Sequence, residues 1–232
     1  MKKNMRRLTA LSLAAALALT ALTGCGGNAS SSDAMSVSNS TLAQEETSAR
    51  VGTVLLSVNP EIEMDYDDGG NVVALNALND DGRTVLAGYT GYEGRPCTAV
   101  VGELVDEIHA AGYFDTTVGG HERNIVLKLE RGSAYPTDHF LDDLATSVRI
   151  AVETDQIGSQ AVTLGQDDYD DTYGDKGYIN AAAAQNLVSA QVGRSDVQFV
   201  EKDYDLDDGD YEVEFVLDGV QYEYEVDAYT GK

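Results

Sequence analysis

Val51-Gly52-Thr53-Val54-Leu55-Leu56-Ser57-Val58-Asn59-Pro60-Glu61-Ile62-Glu63-Met64-Asp65-Tyr66 is the stretch from which the fold is read. Val51–Val58 is an apolar run with several β-branched residues, the mark of a buried strand. Pro60 has no N–H to give a sheet ladder and interrupts it. Glu61–Tyr66 then alternates polar and apolar side chains, as a half-buried strand does. Asp67-Asp68-Gly69-Gly70 supplies turn residues that tolerate positive φ, and Asn71–Leu78 is a third strand. Asn79-Asp80-Asp81-Gly82 reads as the next break.

Farther along, Pro96 suits the first turn of a helix, and Val100, Val101, Leu104, Val105 and Ile108 recur at helical spacing before Gly112 stops it. Asn124–Glu130 alternates as a strand. A second helix is expected from about Pro136 to Glu153, burying Phe140, Leu141, Leu144, Val148 and Val152, with a short extended Gln160–Leu164 after it. The order β-β-β-α-β-α-β predicts an α+β domain, helices packed on a mixed sheet. Gln166–Gly177 is charged, glycine-punctuated and aperiodic, hence a linker or exposed loop. Ala181–Val192 reads as a helix with Asn180 as N-cap and Gly193 as stop. Three strands should follow, Val197–Tyr204, Tyr211–Leu217 and Val220–Asp227, the last two joined by a tight Asp218-Gly219 turn. Tyr211, Val213, Phe215 and Leu217 share one face, as do Tyr222, Tyr224 and Val226. A unit of about 55 residues is near the lower size limit for independent stability, so it is expected to dock on the first domain.

The chain has 232 residues, 40 acidic against 15 basic, a formal charge of −25. Lys2, Lys3, Arg6 and Arg7 lie in the first seven residues; without those four, 11 bases face the same 40 acids, a balance of −29. Such a surface repels phosphate backbones and anionic lipid, which excludes nucleic-acid binding and a polybasic membrane patch. The apolar share of 43% is too high for a wholly disordered acidic chain. Basic Lys2–Arg7, apolar Leu8–Leu22 and small Thr23-Gly24 ahead of Cys25 have the layout of a secretory signal over residues 1–24. Leu22-Thr23-Gly24-Cys25 resembles the lipobox of bacterial lipoproteins. The resemblance implies lipidation of Cys25 and a lipid-anchored, extracytoplasmic protein at the cell surface. Residues 25–48, rich in Ser, Ala, Asn, Gly and Thr, describe a flexible tether. With Cys25 lipidated, Cys97 has no disulfide partner.

Val54–Met64, the Gly70-Asn71-Val72-Val73-Ala74-Leu75 run, the Asn79-Asp80-Asp81-Gly82 break and the Ala111-Gly112-Tyr113-Phe114 helix end together resemble the extracytoplasmic middle domain of RsgI-type anti-sigma factors, over residues 49–165. The resemblance implies self-cleavage at the Asn59–Pro60 bond. Sigma-factor inhibition is not implied, because the lipoprotein signal stands where that family has a cytoplasmic segment and a transmembrane helix. Beyond the acidic linker 166–177, residues 178–232, closing on Tyr222-Glu223-Tyr224-Glu225-Val226-Asp227-Ala228-Tyr229-Thr230-Gly231, resemble a PepSY domain. That implies a partner such as an extracytoplasmic peptidase or an envelope signalling protein.

Chemistry points independently to Asn59. Proline has no backbone N–H, so the following amide nitrogen cannot attack the Asn59 side chain. The route left is attack by the Asn59 amide on its own backbone carbonyl, expelling the Pro60 nitrogen; the alternative is a plain turn. Other candidates are weaker. Asp203-x-Asp205-x-Asp207-Asp208-Gly209 with Glu214 mimics a calcium loop, but its glycine is one place late and strands flank it, so a solvated turn is favoured. His109, His121 and His139 lack metal spacing. Cys97 lies near a helix N-terminus, which lowers a thiol pKa, but it has no base beside it and reads as half-buried. No nucleophile-elbow, phosphate-loop or zinc-protease signature appears, so no cofactor or metal is expected and self-cleavage is the one reaction implied. The readings that remain are a regulatory binding protein of the envelope, a self-cleaving module, and a peptide- or solute-binding lipoprotein.

Overall fold

Strands β1 (Gly52–Ser57), β2 (Glu61–Tyr66) and β3 (Val72–Ala77) form an antiparallel meander. The computed structural model describes residues 49–115, 117–118, 121–200 and 206–232. The signal segment, the tether and Cys25 lie outside the described residues, as do Asp203, Asp205 and the side chains of Asp207 and His121. The described residues fall in one compact unit, Glu45–Lys232.

After β3 come helices α1 (Asp80–Leu86) and α2 (Cys97–Ala110) and a two-residue hairpin, β4 (Thr117–Val118) and β5 (His121–Glu122). Then follow β6 (Ile125–Leu129), α3 (Phe140–Asp155) and β7 (Ala161–Leu164). The sheet order is β3-β2-β1-β6-β7, with β6 and β7 parallel because α3 carries the chain back between them. All five residues of β6 are buried, so both faces of this sheet are covered. Ile125, Leu127 and Leu129 join Val54, Leu56, Ile62 and Met64 in a core with Val100, Leu104 and Ile108 of α2 and Leu144 and Val148 of α3. His109 Nδ1, 3.0 Å from Asp155 Oδ2, ties α2 to α3. The acidic break at Asn79 is not a turn: it starts α1, with Asn79 as N-cap. The α3 helix starts four residues later than Pro136 and ends on Gln156 at φ 57°.

The other face meets the C-terminal half, α4 (Ala181–Val192), β8 (Gln198–Phe199), β9 (Leu206–Asp207), β10 (Asp210–Leu217) and β11 (Val220–Asp227). β10 pairs with β11 along its whole length. Val126 and Leu164 of the first sheet share a second core with Ala184, Leu187 and Val188 of α4 and with Tyr211, Val213 and Phe215 of β10. Of the expected strand Val197–Tyr204, β8 pairs with β10 and the Val200 N–H donates to the Glu214 carbonyl at 3.0 Å; residues 201–205 lie outside the described residues. Residues 166–177, expected as an exposed loop, form two short 3-10 segments, and Tyr169 between them is buried, its hydroxyl donating to the Leu129 carbonyl at 2.7 Å.

Lys128 projects from β6 into this second interface and is fully buried. Its ammonium lies 3.3 Å from Glu130 Oε1, donates to the carbonyls of Gly177 (3.3 Å) and Tyr229, and sits 3.8 Å from the centre of the Tyr229 ring. Burial lowers its pKa, against the pull of Glu130. Removing the ammonium leaves a buried carboxylate and two carbonyls without their donor. Lys128→Met is expected to cost about 3–5 kcal/mol, read as a shift in the denaturant midpoint; Lys128→Met with Glu130→Gln recovers part of it. An unchanged midpoint refutes the assignment.

Glu63, on the same face, has its pKa raised, first by burial and then by the charges of Glu130 and Asp65. The folded chain therefore holds this proton more tightly than the unfolded chain. Its contribution to stability is full below the ordinary carboxylate pKa and is lost as pH rises through the folded value. Lowering pH from about 7 to about 5 should raise the midpoint, and Glu63→Gln should reduce that rise. Equal slopes in parent and variant would contradict it.

Candidate functional site

Asn59 is the apex of the β1–β2 hairpin. Ser57 pairs with Glu61, and the Val58 N–H donates to the Pro60 carbonyl at 3.1 Å, so the chain reverses on a single residue. Pro60 has no N–H to return the bond, which leaves that pair half-made. Asn59 takes φ 62°, in the left-handed region, which costs an ordinary L-residue about 1–2 kcal/mol and which Asn tolerates best after glycine. The residue before a proline is sterically restricted as well, so two constraints meet at one backbone position. Val58 and Pro60 are buried and Asn59 is half-buried.

The turn is held from two sides. Asn79, the N-cap of α1, donates from Nδ2 to Asn59 Oδ1 at 3.2 Å. Its own Oδ1 accepts from the Gly82 N–H (2.8 Å) and the Glu61 N–H (3.3 Å), while the Leu78 N–H donates to the Glu61 carbonyl at 3.0 Å. One side chain thus caps a helix and grips the residues on both sides of the Asn59–Pro60 bond. Gly82 is required where the helix meets β2, since a Cβ there would lie 2.5 Å from the Glu61 carbonyl oxygen. From the other side Lys232 Nζ reaches Glu61 Oε1 at 3.0 Å.

A family model described as the anti-sigma factor RsgI-like central domain matches residues 51–173, which is 123 of the 232 residues. The chain belongs to this family. A second model, the peptidase propeptide and YPEB domain (PepSY), matches residues 178–232. No curated protein matches the chain. The two matches in this order mark an extracytoplasmic regulatory or signalling module. Among the described residues no helix is long and apolar enough to cross a membrane.

Within the RsgI-like domain, Asn59 and Pro60 stand together at the turn. Cys97 is fully buried rather than half-buried, and burial followed by the charge of Asp67 pushes its thiol up to about 12; desolvation outweighs the helix N-terminus. His109 is satisfied by Asp155, and His139 precedes α3 without capping it through its side chain. Asn79 is the residue that reading along the chain missed. Its signal was present: Asn followed by two acids and, at Val85, a buried apolar residue is an N-terminal helix pattern, masked by the turn-like Asp-Gly pair. The PepSY domain's closing glycine packs into the join: at φ 73°, a Cβ on Gly231 would lie 3.1–3.3 Å from side chains of Leu187, Leu164 and Val126.

Asn59→Ala is expected to destabilise by about 1–2 kcal/mol and Asn59→Gly by less, because only glycine takes the left-handed turn freely. Gly82→Ala should also destabilise, although alanine is the better helix former. Urea titrations of the three variants measure this; a stabilised Gly82→Ala would show that the contact with Glu61 is loose.

Proposed function

We propose that the chain is a cell-surface regulatory module that cuts itself once, at Asn59–Pro60, and keeps both pieces bound. The observation that carries this reading is the one-residue reversal at Asn59, with its left-handed backbone set directly before a proline. In the reaction Asn59 Nδ2 attacks its own backbone carbonyl carbon. The new N–C bond closes a five-membered imide, the bond to Pro60 breaks, and the Nδ2 proton ends on the Pro60 nitrogen. Hydrolysis of the imide later adds one water. The Asn79 hydrogen bond supports the step in two ways. It turns Oδ1 away and leaves Nδ2 for the main chain, and it favours the charge that gathers on Oδ1 as Nδ2 loses its proton. Release of the left-handed turn adds a small driving force.

A cut chain would hold together, because β1 is hydrogen-bonded to β2 on one side and β6 on the other. Drawing β1 out of the sheet would then be the signal. An acylated Cys25, with residues 25–48 as tether, would fix the N-terminal piece to the membrane and give such a pull its direction. The PepSY domain would engage an extracytoplasmic peptidase or envelope signalling protein. The outer strand β11 supports that role, with Val220 51% and Tyr222 41% exposed on an unpaired edge.

Intact-mass spectrometry of the full chain tests the cut. Two fragments bordering at Asn59–Pro60 are expected from the parent and one uncut mass from Asn59→Gly. The fragments should co-elute on native size exclusion and part only in denaturant. A single uncut parent mass after prolonged incubation overturns the reading.

A further inference from the structure

A cavity of about 340 Å³ lies between the RsgI-like and PepSY domains, within the size range of small-ligand sites. Its floor is apolar, with Val126 from β6 and Leu187 from α4. Of the polar groups around that floor, Gln191, Asp227 and Lys232 are bonded, and several on the RsgI-like side lack partners. Ser57 is 1% exposed, and its Oγ has no hydrogen bond. It stands on the PepSY side of β1, because its neighbours Leu56 and Val58 fill the helix-side core, and it pairs across the ladder with Val126. Asn124 Nδ2 is likewise buried and unbonded, although the Asn124 backbone N–H is held by Gln191 Oε1 at 3.1 Å. Half-buried Arg123 makes no ion pair among the described residues, in a chain where acids outnumber bases 40 to 15. Across the cavity the PepSY domain contributes Asp210 and Glu225, but alternation along β10 and β11 sets both side chains on the face opposite Tyr211 and Val226, which meet the apolar floor.

Buried polar atoms in folded proteins are nearly always bonded, and leaving them unmade is costly. Here an amide NH₂ and a hydroxyl stand unbonded on one wall, with the half-buried guanidinium of Arg123 on the same lining. The floor beside them is aliphatic. We infer that this cavity binds the C-terminal end of a short peptide with an apolar side chain. Its C-terminal carboxylate lies against Arg123, Asn124 and Ser57, and its side chain on Val126 and Leu187. The RsgI-like domain supplies the polar end and both domains the apolar floor, so the bound peptide bridges them. Ser57 is two residues before Asn59, which puts the bridge on the strand that would leave the sheet. The inference does not depend on self-cleavage, since every group it uses is present in the uncut chain.

Isothermal titration of the full chain with the dipeptides Ala-Leu and Ala-Phe, their N-acetylated forms and their C-terminal amides tests it. The free and N-acetylated dipeptides are expected to bind at least about tenfold tighter than the C-terminal amides, the scale of losing one charge-assisted contact. Arg123→Gln should weaken the free peptide about tenfold and leave the amide unchanged; Ser57→Ala should weaken the free peptide by less. Unaltered melting temperatures of both variants show that the fold persists. No heat from any of the peptides, equal affinity for free peptides and their amides, or variants that bind as the parent does would each overturn the assignment.

Discussion

The ammonium of Lys128 constrains the whole molecule, because a buried cation without partners would be untenable in the middle of a sheet. Glu130 lies beside it just past the end of β6, but the backbone carbonyls that complete its shell belong to Gly177 and Tyr229, far along the chain. The first sheet is therefore incomplete on this face until the C-terminal half is docked. Val126, Leu164 and the close approach at Gly231 add the apolar part of the same join. A desolvated charge adds directionality that apolar contact alone lacks: the carbonyls must arrive at the ammonium for its burial to be tolerable.

This docking also governs the hairpin. Lys232 reaches Glu61, the residue after Pro60, while Asn79 grips Asn59 and Glu61 from the opposite side. The turn at Asn59 is thus pinned between the N-terminus of α1 and the end of the chain. A left-handed residue before a proline persists because its surroundings over-determine it. The RsgI-like and PepSY domains, separate as family models, share one interface whose polar groups include the neighbours of that turn.

Much of the fold was legible from periodicity. β1, β2, β6, α2 and α4 fall where apolar spacing placed them, since each buries a regular face and the period of that face is local information. The candidate turn was legible for a similar reason: an Asn-Pro step between two strong strands has few conformations open to it. The failures have physical causes too. α1 is seven residues long, too short for its single buried stripe to stand out, and its Asp-Gly pair imitates a turn. Tyr169 sat in a charged stretch whose average polarity hid one buried ring.

Hydrophobic order along the chain was enough to establish an α+β class, the strands of the meander and the position of Asn59 at a reversal, because strand and helix periods need only near neighbours. It was silent on which polar residues meet. Asn79 touches Asn59 across 20 positions, Lys128 meets Tyr229 across 101, and Ser57, Arg123 and Asp210 surround one cavity. Such encounters depend on how sheet faces are covered, and a lysine in a strand looks the same in sequence whether it points to water or into a domain interface. Hydrogen bonds and charges act over a few ångströms, so packing in three dimensions determines their partners.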